Sequence, residues 1–188
     1  NFGVGKQWSS HRMVRIQRKV LGFQPDALFY FAHQDEFREF GNHVARMVAT
    51  DELIRSRPIE HILEQAQITS TTPPGVIQNK LSRDRDALLA AVYRTIVEDC
   101  RARGILPVWI YLPIGADPGN LYDQLSPIAR EAGFVVCEVK DWAKGHRFSE
   151  LVIPGQPHHP HAGGHVLIAD ALVKLLKEHP EALPSAKP

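Results

Sequence analysis

Residues 84–113 read DRDALLAAVYRTIVEDCRARGILPVWIYLP, and this stretch decides the fold class. From Asp84 to Arg103 the side chains Leu88, Leu89, Val92, Tyr93, Ile96, Val97 and Cys100 recur three and four positions apart, which places them on one stripe of a helix. Ser82 or Asp84 can cap its start, and Gly104 can end it. Val108 to Leu112, set between Pro107 and Pro113, is then apolar at every position. A strand without polar alternation is buried on both faces, as in a parallel sheet lying under helices.

The same order recurs on either side. Ala27 to Ala32 (ALFYFA) follows Pro25 and Asp26, and Phe134 to Val139 (FVVCEV) follows a helical pattern from Leu121 to Ala132 that stops at Gly133. Helix, glycine and strand in repetition predict an α/β domain with a mainly parallel sheet. Upstream, Ser9 to Leu21 reads as a helix whose Arg12, Arg15, Arg18 and Lys19 form a solvated outer face around Met13, Val14, Ile16 and Val20. Asp35 to Gln67 is helical but looser, and Thr69 to Gly75 (TSTTPPG) is a turn-rich break, so the two together read as an excursion over the sheet. Residues 1–179 make one domain, and residues 180–188, with Pro180, Pro184 and Pro188, read as a flexible tail.

Composition bounds the function. With 44% hydrophobic and 23% charged residues in 188, the chain can bury a sizeable core, and its formal net charge of +1 gives no electrostatic case for nucleic acid or an anionic membrane. No apolar run approaches the roughly 18 residues of a membrane span, and no secretory leader pattern opens the chain. The compartment is not legible. Cys100 and Cys137 fall in a helical and a strand pattern without metal-type spacing, and are expected to be free, buried thiols.

The chemistry concentrates at residues 154–165, PGQPHHPHAGGH, which run into the apolar helical pattern Val166 to Leu176. Prolines and glycines predict an irregular loop that delivers imidazoles to the mouth of a helix, where they can carry protons or bind a metal. His158, His159, His161 and His165 are close in sequence, but their spacing fits no zinc motif, Pro157 and Pro160 limit which rings converge, and the loop holds no cysteine or carboxylate. No metal is expected here.

Taken in order, these motifs resemble the SGNH/GDSL hydrolase superfamily. His159 to His165 with the following helix is similar to its last block, Asp-x-x-His-Pro-Asn-x-x-Gly-His. Asn1-Phe2-Gly3-Val4-Gly5 looks like the second block, Asn-x-Gly-x-x-Gly, and Ala32-His33-Gln34-Asp35 sits where the third, Gly-x-Asn-Asp, belongs. The resemblance implies a three-layer α/β/α flavodoxin-like fold and hydrolysis of an acyl ester on a small molecule, glycan or lipid, with no cofactor. His159 would be the general base, taking the proton of a serine and returning it to the leaving group. Gln34 would hold the place of the oxyanion-binding Asn. The backbone donor of the second block falls on Lys6 in a strict count, beside Gly5, with Gly3 as the first glycine of that block.

Departures from the pattern carry equal weight. No Gly-Asp-Ser occurs, and Ser9 and Ser10 follow the second block, so the nucleophile and the first strand are expected upstream of Asn1. A sheet lacking that strand would expose an edge, through which a homodimer is the implied alternative. Gln156 stands where the family has the Asp that orients the base, and an amide there costs about 10⁴ in turnover in the serine-protease template. Gln34 carries the same donor as Asn one methylene further out, while losing such a donor costs about 10² to 10³. His33, Asp35 and Glu36 crowd the third block and could replace missing acid or base groups, although Asp35 and Glu36 also suit the start of a helix. The competing class is a catalytically inactive binding module that retains the pocket.

Overall fold

The structure, a computed structural model, describes residues 9–33, 36, 44, 48, 56–114 and 121–184. A parallel sheet of β1 (Ala27–Ala32), β2 (Leu106–Tyr111) and β3 (Val135–Glu138) runs through it in the order β1-β2-β3. Phe29 pairs with Val108, and Val108 with Val135. The three apolar runs of the sequence are therefore neighbours in one sheet, and the fold is mixed α/β.

Six helices surround the sheet among the described residues. They are α1 (Ser9–Arg15), continued by a π turn over Ile16–Val20 and a 3-10 turn over Leu21–Phe23, then α2 (Arg57–Gln65), α3 (Pro74–Leu81), α4 (Arg85–Arg101), α5 (Leu121–Ala132) and α6 (Ala162–Glu178). The predicted stripe of α4 is buried at all seven positions, from Leu88 to Cys100. It packs with Met13 and Ile16 from the first helix, Leu125 and Ala129 of α5, and Trp109 and Tyr111 of β2. On the other face Val108, Ile110 and Cys137 meet Ile168 and Leu175 of α6. β2 is thus apolar on both sides because both sides are covered, and each buried Leu, Ile or Val contributes roughly 1.5–3 kcal/mol.

β1 departs from the expectation of burial on both faces. Leu28, Tyr30 and Ala32 are buried, whereas Phe29 and Phe31 are 36% and 39% exposed. The second cluster, to which α6 belongs, takes its strand residues from β2 and β3, and β1 is an edge strand among the described residues.

Other boundaries follow local chemistry. The break from Thr69 ends sooner than expected, because Pro74 opens α3, where its fixed φ suits the first turn and its missing N–H loses no bond. Ile77 and Leu81 anchor that helix. Gly133 ends α5 at φ +101°, a conformation that a side chain resists, and a Cβ there would lie 2.7 Å from the Arg101 guanidinium that donates to the Gly133 carbonyl. The expectation of a flexible tail from residue 180 is corrected for its first residues. Pro180–Ala182 form a 3-10 turn, and Ala182 is fully buried in the second cluster, because the chain folds back beside β3 after α6.

Cys100 and Cys137 are free and buried. Burial pushes the Cys100 thiol up to about 12 and raises that of Cys137, so neither is poised as a nucleophile. No helix among the described residues is long and apolar enough to cross a membrane.

Candidate functional site

The carboxyl end of β1 carries a polar cluster built around Glu36, whose side chain is 1% exposed. Ser9 and Arg12 lie three apart on α1 and so share one face. The Ser9 hydroxyl donates to Glu36 Oε2 at 2.6 Å, and Arg12 Nη1 to Glu36 Oε1 at 2.6 Å. From below, the hydroxyls of Tyr30 (β1) and Tyr93 (α4) donate to Oε2 at 2.9 and 3.1 Å. Trp109 Nε1 on β2 in turn donates to the Tyr93 oxygen at 2.9 Å. The carboxylate is thus met from α1, β1 and α4, with an edge-on Tyr30–Tyr93 ring contact at 5.5 Å closing the floor. A charge taken out of water persists only with this degree of pairing.

Arg12 extends the cluster towards the surface. Its guanidinium lies 5.4 Å from the Tyr30 ring centroid, Nη1 also donates to the Phe31 carbonyl at 2.9 Å, and Nη2 is 2.8 Å from His33 Nε2. Open α/β sheets place ligands beyond the carboxyl ends of their strands, which is where His33 stands.

Burial, then the charge of Glu36, raises the ionisation of Tyr30 well above the ordinary range, and the same two causes act on Tyr93. Both phenols therefore stay protonated in the fold at pH values where the unfolded chain, with tyrosine near about 10, already ionises. A proton held more tightly by the folded state leaves stability intact below about pH 10 and removes it above that value. Thermal melts from pH 8 to 11 are expected to show a Tm that starts to fall at about pH 9, where the thiols of Cys100 and Cys137 ionise only in the unfolded chain, and that falls more steeply above about 10, where the tyrosines do the same. A Tm that stays level to pH 11 would contradict the tyrosine–Glu36 contacts.

The histidine-rich segment is a hairpin rather than the expected irregular loop. β4 (Val152–Ile153) pairs antiparallel with β5 (Gln156–Pro160), Val152 opposite Pro160 and Ile153 opposite Gln156. The residues between Gln156 and Pro160 bulge out of the ladder, and a bulge re-aims side chains. His159 and Gln156 are both exposed on this bulged strand, and the His159 ring makes no hydrogen bond to a described residue. The hairpin is tied to the sheet in steps. His161 N donates to the Leu151 carbonyl at 2.8 Å, Leu151 packs in the cluster with Trp142, and Trp142 Nε1 donates to the Pro113 carbonyl just beyond β2 at 2.8 Å.

Capping of α6 falls to His161. Its Nδ1 accepts from Gly164 N at 3.2 Å, so Nε2 carries the proton and donates to the Glu150 carbonyl at 2.7 Å. Gly164 has no room for a side chain, since a Cβ would lie 2.6 Å from the Leu151 carbonyl oxygen. These contacts explain the His-Ala-Gly-Gly run as hairpin-to-helix carpentry. Replacing His161 by Ala is expected to cost about 1 kcal/mol, and by Asn, an equally good cap, much less; urea denaturation midpoints measure both.

Of the remaining residues singled out in the sequence, Gly3, Gly5, Lys6, Gln34 and Asp35 lie outside the described residues. His33 is brought against Arg12, and Glu36 is buried beneath it with both carboxylate oxygens hydrogen-bonded. Arg12, Ser9, Tyr93 and Trp109 were not expected at the site. Each carries a different and ordinary sequence signal: Ser9 opens a helical pattern, Arg12 reads as part of its solvated face, Tyr93 is one of seven positions on an apolar stripe, and Trp109 is one residue of an apolar strand. Among the described residues no group of three or more His, Cys, Asp and Glu is placed to hold a metal ion. A groove of about 630 Å³ runs along β3 and α6 past Trp142, but neither His33, Glu36 nor His159 lines it. Its Glu138 and Lys174 are already paired with Lys140 and Glu178, which leaves it without a marked charge preference.

No family model, no curated protein and no solved structure matches this chain.

Proposed function

We propose that this chain is a divergent SGNH-type α/β domain that hydrolyses acyl esters, with His159 as general base and the attacking serine supplied by a Gly-Asp-Ser segment that residues 1–188 do not contain. The observation that carries it is the placement of His159 on a bulged hairpin ahead of a capped helix, tied through Trp142 to the carboxyl side of a parallel sheet. Two features of β1 support a strand beyond it. Phe29 and Phe31 are half exposed, and the helices joining β1, β2 and β3 lie on the face that α1 also covers. Right-handed crossovers then put any parallel strand preceding α1 on the free side of β1. The backbone donors proposed for the oxyanion are Gly5 or Lys6, with Gly3 in the same segment, and the side-chain donor proposed is the Gln34 amide.

A second reading, a binding module that has lost turnover, is favoured by Gln156 and by an imidazole with no described partner to orient it. Hydrolysis of a short-chain nitrophenyl ester by the full-length protein separates the two. Turnover that disappears in His159→Ala supports the hydrolase. Absence of turnover, or turnover indifferent to that change, favours the binding module.

A further inference from the structure

We propose that the outer edge of β3 is a self-association surface, on which a second copy of this chain lays its own β3 antiparallel. This is independent of the function proposed above. The ladder with β2 shows which backbone groups are left over. Val139 N donates to the Tyr111 carbonyl at 2.9 Å, and Tyr111 pairs with Glu138. In a strand the N–H and C=O of one residue point the same way and alternate along the chain, so Val135, Cys137 and Val139 face β2 while Val136, Glu138 and Lys140 turn theirs outward. Among the described residues no backbone hydrogen bond reaches those three. The turn Pro180–Ala182 beside β3 does not use them either, since its bonds run to His179 and Pro180. Unpaired edge groups are a template for another strand.

The groove of about 630 Å³ lies along this edge, lined by Tyr122 of α5, which packs on one face of the sheet, and by Leu167 and Ala171 of α6, which packs on the other. Charge decides the occupant. The groove as a whole prefers neither sign, but two of its elements carry an acid followed by a base: Glu138 then Lys140 at β3, and Asp170 then Lys174 on α6. A two-fold axis across the strands reverses the direction of the second copy, so each acid–base order meets its own reverse. Setting Glu138 opposite Lys140 of the other copy makes two cross-strand ion pairs. Both residues also turn their backbone groups outward, so the same register forms the ladder hydrogen bonds. A slip of one residue takes the backbone groups out of phase, and a slip that puts Glu138 opposite its own copy sets like charges together. The pairs within one copy, Glu138 with Lys140 at 3.3 Å and Lys174 with Glu178 at 3.8 Å, involve largely exposed lysines, so they exchange partners at little cost.

Sedimentation of the full-length protein over a range of concentrations tests this. A monomer–dimer equilibrium is expected, and a protein that stays monomeric throughout overturns the proposal. Glu138→Lys and Lys140→Glu should each weaken dimerisation by about tenfold or more, because each sets like charges opposite at both pairs. Combining the two changes restores the alternation and should bring the dimer back. Single changes without effect, or a folded double variant that stays monomeric, overturn the register. Should Glu138→Lys fail to fold, Lys140→Glu, at a largely exposed position, still carries the test. Amide hydrogen exchange supplies a separate readout. Val136, Glu138 and Lys140 should be protected in the dimer and exchange faster in Lys140→Glu. A dimer in which these three amides exchange as they do in that variant is joined elsewhere, for instance through β1, and overturns the proposal.

Discussion

Replacing Glu36 by alanine is expected to lower the free energy of unfolding by about 3 kcal/mol, a large share of the roughly 5–15 kcal/mol that holds a domain of this size together. The change strips the Arg12 guanidinium of its counter-charge and leaves the hydroxyls of Ser9, Tyr30 and Tyr93 without their acceptor in a dry site. The figure sits at the lower end for a broken buried pair because the Arg12 side chain keeps 22% of its surface in water. Urea unfolding should show a lower midpoint at an unchanged slope. Arg12→Met in the same background should recover part of the loss, since the orphaned charge is gone, and the two changes should be strongly non-additive. A loss under about 1 kcal/mol, the level of an ordinary substitution, would mean that the cluster does not form as described.

The second large effect concerns activity. In the full-length protein His159→Ala is expected to reduce ester turnover by about 10² to 10⁴, the contribution of a positioned general base. Gln156→Asp is expected to raise it, by as much as about 10⁴ if the introduced carboxylate reaches the ring as it does in the serine-protease template. Both residues are exposed on β5, so neither change disturbs the core, and the stability of the two variants should match that of the parent. Initial rates on a nitrophenyl ester measure both. A Gln156→Asp protein no faster than its parent would show that the bulge points the two side chains apart, and would favour the binding module.

The elements most legible in the sequence are those whose periodicity is long and whose faces are fully committed. All seven stripe positions of α4 are buried, and α5 has the limits that Leu121 and Gly133 suggested. β2 and β3 fall on their apolar runs. Shorter features were less legible. The segment from Pro154 to His165 reads as a loop because prolines and glycines dominate it, yet Pro160 can close an edge ladder that asks for no N–H at that position. The prolines of residues 180–188 predict a flexible tail, although Ala182 is fully buried in the second cluster. In the sequence His161 reads only as one of four clustered imidazoles, and its capping role depends on the Glu150 carbonyl, which lies 11 residues away in the chain.

What the sequence determined by itself is the α/β class, the parallel direction of the strands and the position of the histidine segment before the last long helix, because these follow from local periodicity and from which side chains avoid water. What only the tertiary structure decided is the polar site at the end of β1. Ser9, Arg12, Tyr30, Glu36, Tyr93 and Trp109 come from separate segments, up to 100 positions apart, and each is unremarkable where it stands in the chain. Their common purpose arises because a buried carboxylate must collect donors from whatever elements surround it, and the packing of α1 and α4 over the sheet determines which those are.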